Sequence, residues 1–205
     1  MEILSQLFDG KGSEVLFSIG LIIIYLCSVT LFIANNGNNH FKGKKHLTTT
    51  IFLLVMLLNG SHFILYLNGY LTQALQFESL FLGIVLGAGI CISFAILLYF
   101  FLRYCDTSID DKTSRYFLLF FAIGQLMQAI VLLQQVDMLN LGQIVWNSNH
   151  LIAENSEAGQ LLRVLIGYET TPSMMQLITY VIAFIVPVFL SKSHHISRPI
   201  FGDNS

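Results

Sequence analysis

Long apolar runs alternate with short polar connections along this chain, and the pattern predicts membrane-crossing helices. Five runs stand out: Ser13–Ala34, Leu47–Tyr70, Glu78–Leu102, Tyr116–Gln135 and Met174–Leu190. About 20 apolar residues in a helix cover the ~30 Å hydrocarbon core of a bilayer. Inside that core every backbone amide must be paired within its own segment, so such runs form helices. The expected fold class is all-α: a polytopic membrane helix bundle of about five transmembrane helices, one integral membrane domain over residues 1–205.

The outer segment Val136–Ser173 is patterned differently. Trp146 sits where an interfacial anchor is expected. In Gly159–Tyr168 the residues Leu161, Leu162, Leu165 and Ile166 make one apolar face, with Gln160 and Arg163 elsewhere on the wheel. This predicts a short amphipathic helix lying at the outer surface or capping the bundle. Pro172 then falls near the start of the last helix, where its missing N–H costs nothing. Pro187 falls inside that helix and should kink it.

Composition agrees with a membrane protein. Charged residues make up 11% of the chain and mean hydropathy is +0.70, whereas a soluble domain carries about twice that charge. No basic helix or aromatic–basic interleaving suggests a nucleic-acid partner. Cys27, Cys91 and Cys105 are widely spaced and form no metal-binding pair. The N-terminal segment, with Glu2, Asp9 and one Lys11, lacks the basic start of a signal peptide, so the first run is expected to be a retained helix.

Charge also sets the orientation. Lys42, Lys44, Lys45, Arg103, Lys112, Arg115, Lys192 and Arg198 fall on one side of the five crossings, and Lys11 and Arg163 on the other. Basic residues mark the cytoplasmic side. The N-terminus is therefore expected outside and the C-terminus in the cytoplasm.

Few polar groups lie at membrane depth. Glu14, at the outer start of the first run, either faces water and complements the helix N-terminus or serves as a membrane ligand. Asn59, His62, Tyr66 and Tyr70 recur every three to four residues and share a helix face. Neutral imidazole is a good transition-metal ligand, but one histidine is not a site, and a hydrogen-bonded packing role is the first alternative. Gly83 and Gly87 form a small-residue contact motif that specifies helix packing. Gln125 and Gln128 could bridge helices or line a polar path. His194 and His195 follow the last run, as a metal-binding tail or a solvated one. No nucleophile–base pair or paired carboxylate marks an enzyme. His62 is the one histidine within a run, so paired haem ligands are not expected.

The C-terminal half resembles the high-affinity, oxidase-linked iron permease family. The similarity rests on FFAIGQLMQAIVLLQQ, then Trp146-Asn147-Ser148, then GQLLRVLIGY, then Pro172-Ser173-x-x-Gln176-x-x-x-Tyr180, in that order. It implies a metal-transporting helix bundle and covers about the last five of the family's seven helices. The family's ferric ligands come from Arg-Glu-x-x-Glu motifs on two helices. The first such helix has no counterpart here. At the second, Leu58, Asn59 and His62 stand for the arginine and the two glutamates.

The resemblance thus implies a transported iron ion, with Asn59 and His62 in the ligand positions and Glu14 and Tyr66 in support. No resident cofactor is implied. Neutral ligands suit Fe(II) better than hard Fe(III). The implied partners are the lipid bilayer, a second copy or another membrane subunit supplying the missing helices, and an extracytoplasmic oxidase or iron-binding protein. The implied location is the bacterial inner membrane. The rival expectation is a non-transporting assembly or regulatory subunit derived from the same scaffold.

Overall fold

The computed structural model describes residues 12–34, 43–73, 77–108, 113–139, 142–153 and 155–196, with the side chains at 44, 62, 65–66, 70–73, 77–79 and 193–196 outside that description. Six helices follow in order: α1 (Gly12–Ala34), α2 (Lys44–Gln73), α3 (Phe77–Ser108), α4 (Thr113–Gln135), α5 (Glu157–Ile166) and α6 (Met174–Ile196). Among the described residues the structure is helical apart from loops and one isolated bridge between Ile144 and Ser173. Among the described residues four stretches are long and apolar enough to cross a membrane: Gly12–Ala34, Leu80–Ser108, Thr113–Gln135 and Met174–Lys192. The chain is an integral membrane protein with an all-α, polytopic fold. The Leu47–Tyr70 run lies on α2, which has 30 residues. Several of its side chains lie outside the described residues, and it is not among the four.

The chain divides into two compact units, residues 1–55 with 118–205, and residues 56–117. The first holds α1, α5, α6, the start of α2 and most of α4. Its core is a cluster of Phe32, Leu119, Ile123, Met127, Ile130 and Ala183, from α1, α4 and α6. Phe120 and Phe184 stack with ring centroids 5.2 Å apart. These apolar positions recur at three and four residues, so each helix turns one stripe toward the others.

Polar groups on these helices are placed where the backbone needs them. Pro187 is fully buried in α6 and has no N–H to give the carbonyl four residues back. That carbonyl belongs to Ala183, and the Tyr25 hydroxyl of α1 donates to it at 3.0 Å. A tyrosine on a neighbouring helix thus satisfies the group the proline leaves unpaired, as a membrane interior requires. Ser18 Oγ donates to its own helix at Glu14 O (2.7 Å), with the Ala129 carbonyl of α4 3.4 Å away.

The start of α6 is a reciprocal cap. The Ser173 N–H donates to Gln176 Oε1 at 2.8 Å, and the Gln176 N–H donates to Ser173 Oγ at 3.2 Å. Both residues are buried, so side chains satisfy helix-end donors that water cannot reach. The Pro-Ser-x-x-Gln pattern in the sequence has this local cause.

In the second unit α3 carries the most exposed apolar surface. No residue of its most apolar stretch is buried. Phe81, Leu86, Ile90, Leu97 and Phe100 are all exposed. Such a surface suits lipid tails, which are as apolar as leucine. The end of α3 is tied to the start of α4 by Asp106. Its carboxylate accepts the Ser114 N–H at 2.8 Å and the Ser114 hydroxyl.

Candidate functional site

The residues expected from sequence to bind a metal are divided between the two units. Glu14 is half-buried in the first turn of α1, where the Ser13 hydroxyl donates to its Oε2 at 2.8 Å. It belongs to the first unit. Asn59 is exposed on α2, in the second unit. The backbones of His62 and Tyr66 continue α2, but their side chains lie outside the described residues, as do those of His194 and His195. Among the described residues no group of three or more His, Cys, Asp or Glu could hold a metal ion.

In the first unit, two charged residues near the short helix α5 line one recess. The short helix α5 is present, and its boundaries follow from its caps. Ser156 has extended backbone at φ −76° and ψ 153° and accepts the Gly159 N–H on its side-chain oxygen at 3.1 Å. That is an N-cap, with Glu157 in the first turn to complement the helix dipole. Gly167 ends the helix in the left-handed region at φ 72°. Its N–H donates to Arg163 O at 2.9 Å, and the Tyr168 N–H donates to Leu162 O at 3.3 Å.

Gly167 is fixed by a second constraint as well. A Cβ there would stand 3.0 Å from the Gly124 Cα, and a Cβ on Gly124 would stand 3.0 Å from the Gly167 nitrogen. The end of α5 therefore meets α4 backbone to backbone, which only a pair of glycines permits. Gly124 is eleven residues from either end of α4, or about 16 Å at 1.5 Å per residue. Where the sequence allowed α5 either to lie at the surface or to cap the bundle, its last turn packs on the midpoint of a spanning helix.

The segment around this junction is tied into the unit. Val145 N–H donates to Pro172 O (3.0 Å), Ser148 N–H to Thr170 O (2.9 Å) and Met174 N–H to Gln143 O (3.2 Å). The Tyr168 hydroxyl lies 3.0 Å from Ser148 Oγ and donates to Ile152 O at 3.3 Å. These bonds fix the turn that carries Glu169.

Between α4 and this turn lies a recess of about 50 Å³. Its wall runs along α4 from Gly124 to Gln128 and Val131, and is closed by Arg163, Tyr168 and Glu169. Two residues of opposite charge, Arg163 and Glu169, thus line one small recess beside α4 together with Gln128. Sequence reasoning placed Arg163 off the apolar face of α5 and passed over Glu169. The available signal was the short connection: seven residues separate Ile166 from Met174, too few to carry Glu169 far from the helices at either end.

Comparisons with protein-family models, with curated proteins and with solved structures returned no match. The site and the fold therefore carry the functional reading.

Proposed function

We propose that this protein moves a metal cation across a membrane, with iron the ion its sequence resemblance implies. One observation carries the proposal: Arg163 and Glu169 line a recess along the C-terminal half of the spanning helix α4, beginning at its midpoint. Ionisable groups at membrane depth are costly and typically mark ion or substrate paths. The sequence supports the same reading through the ordered motifs that resemble iron permeases. Asn59 and His62 stand in the ligand positions, with Glu14 and Tyr66 supporting. Neutral ligands there favour Fe(II) over Fe(III).

The basic residues support a bacterial inner-membrane setting with the N-terminus outside and the C-terminus in the cytoplasm, since eight of ten fall on one side. A second copy or a partner membrane subunit supplies the helices that the permease scaffold has and this chain lacks. An extracytoplasmic oxidase or iron-binding protein delivers the ion.

The second reading is a non-transporting assembly or regulatory subunit. It is favoured by the neutral Asn59 and His62 where the permease family carries glutamates. Uptake into proteoliposomes separates the two, with Fe(II) and Fe(III) supplied in turn. The carrier reading expects uptake by the wild type and its loss in Asn59→Ala/His62→Ala. Folded wild-type protein without uptake of either ion would leave the subunit reading.

A further inference from the structure

We propose that water reaches the middle of the membrane along the seam between α1 and α4, and that Gln125 and Ser18 hold a water molecule there. Such a site needs no ion and stands whether or not the carrier reading does.

Among the described residues two buried side-chain oxygens have no hydrogen-bond partner, Gln125 Oε1 on α4 and Ser28 Oγ on α1. Gln125 is 3% exposed and lies one residue from the midpoint of α4. An unpaired polar group taken out of water typically costs about 1–3 kcal/mol, and the hydrocarbon core offers nothing to relieve it. Buried polar groups are satisfied, with few exceptions, by protein or by ordered water.

The neighbouring groups fit water as the partner of Gln125. Gln125 and Ala129 are four residues apart and share one face of α4. At Ala129 that face meets α1, where the Ser18 hydroxyl lies 3.4 Å from the Ala129 carbonyl. Ser18 is fully buried and gives its proton to Glu14 O at 2.7 Å. Its Oγ is left with lone pairs that can accept a hydrogen bond. Gln125 Oε1 is also an acceptor, so the two oxygens cannot satisfy each other. A water between them donates one proton to each. One helical turn separates Gln125 from Ala129, about 6 Å, and two hydrogen bonds through one water span about 5.5 Å. Ala122 and Ala129, on either side of Gln125 along this face, are buried and add only methyl groups to the seam. Ser28 stands ten residues beyond Ser18 on α1, about 15 Å away, and is too distant to share this water.

The route inward follows from the helix ends. Ser18 is six residues from the start of α1, and Ala129 is six from the end of α4. These two ends therefore share a side of the bundle, each about 9 Å from the Ser18–Ala129 contact. Glu14 is half-buried one turn nearer that side, on the same face of α1 as Ser18. Glu14, Ser18 and Gln125 thus form a ladder of hydrogen-bonding groups, one turn apart, from the surface to mid-depth. Polar side chains at such depth typically face the bundle interior or a water-filled path.

The test is water-edited solid-state NMR on the isotope-labelled full-length protein in lipid bilayers, which follows magnetisation from water to nearby carbons. The Gln125 Cδ signal is identified by its loss in Gln125→Leu. Its build-up is expected to match that of Gln135, exposed at the end of α4, and to exceed several-fold that of the fully buried Leu119. Ser18→Ala is expected to slow the build-up at Gln125 several-fold, and Ser28→Ala on the same helix to leave it unchanged. The site is overturned if Gln125 builds up as slowly as Leu119, or if Ser18→Ala and Ser28→Ala have the same effect. Thermal unfolding checks the sign. A dry, unpaired amide would make Gln125→Leu melt higher than the wild type, and that result would also overturn the site, whereas a hydrated amide gives no such gain. Neither readout depends on iron uptake.

Discussion

Gly124 and Gly167 meet so closely that neither tolerates a methyl group where it stands. Alanine at Gly124 would push against the Gly167 nitrogen at 3.0 Å, and forced overpacking of this kind typically costs about 1–3 kcal/mol. Gly124→Ala is therefore expected to lower the melting temperature in detergent and to separate α5 from α4. Gly167→Ala adds a left-handed backbone cost of roughly 1–2 kcal/mol to the same collision. Tyr25 gives a subtler case. Its bond to the Ala183 carbonyl exists because Pro187 cannot make one. Tyr25→Phe should cost about 0.6 kcal/mol, the typical worth of an interhelical hydrogen bond in a membrane protein. In Pro187→Ala the helix can supply its own donor, so the cost of Tyr25→Phe should shrink there. A double-mutant cycle on reversible unfolding measures that coupling. Equal costs in both backgrounds would show that the tyrosine is not substituting for the missing N–H.

At the level of elements, the spanning helices are legible because length and hydropathy alone decide them, and the described residues include four such stretches. The short helix α5 is legible from the spacing of its leucines. Its packing is not, because periodicity states which face is apolar and is silent on what that face meets. The same reason hides the recess. Asn59, His62 and Tyr66 are connected by spacing within one helix, whereas Gln128, Arg163 and Glu169 converge only once α5 has folded back on α4. Tertiary contacts of this kind leave one local trace, the glycines that permit them. The packing of α5 on the midpoint of α4 makes a direct prediction. Val164 is exposed on α5, and Trp146 is the sole tryptophan. A Val164→Trp/Trp146→Phe variant in lipid vesicles should be quenched most by lipids brominated deep in their acyl chains. Strongest quenching by bromines near the headgroups would place α5 at the surface instead.

For the whole molecule, the placement of charge joins topology to function. Eight basic residues on one side orient the chain, and Arg163 is one of the two on the other. On the proposed topology, ions arriving from outside meet the Arg163–Glu169 recess within the outer half of the bundle. The central claim is that this chain carries a divalent metal ion through the membrane. The most direct measurement is the initial rate of Fe(II) uptake into proteoliposomes, comparing wild type, Glu169→Gln and protein-free vesicles. The account predicts saturable uptake by the wild type that falls to the protein-free rate in Glu169→Gln. A folded, correctly inserted wild type that takes up no more iron than empty vesicles would contradict it.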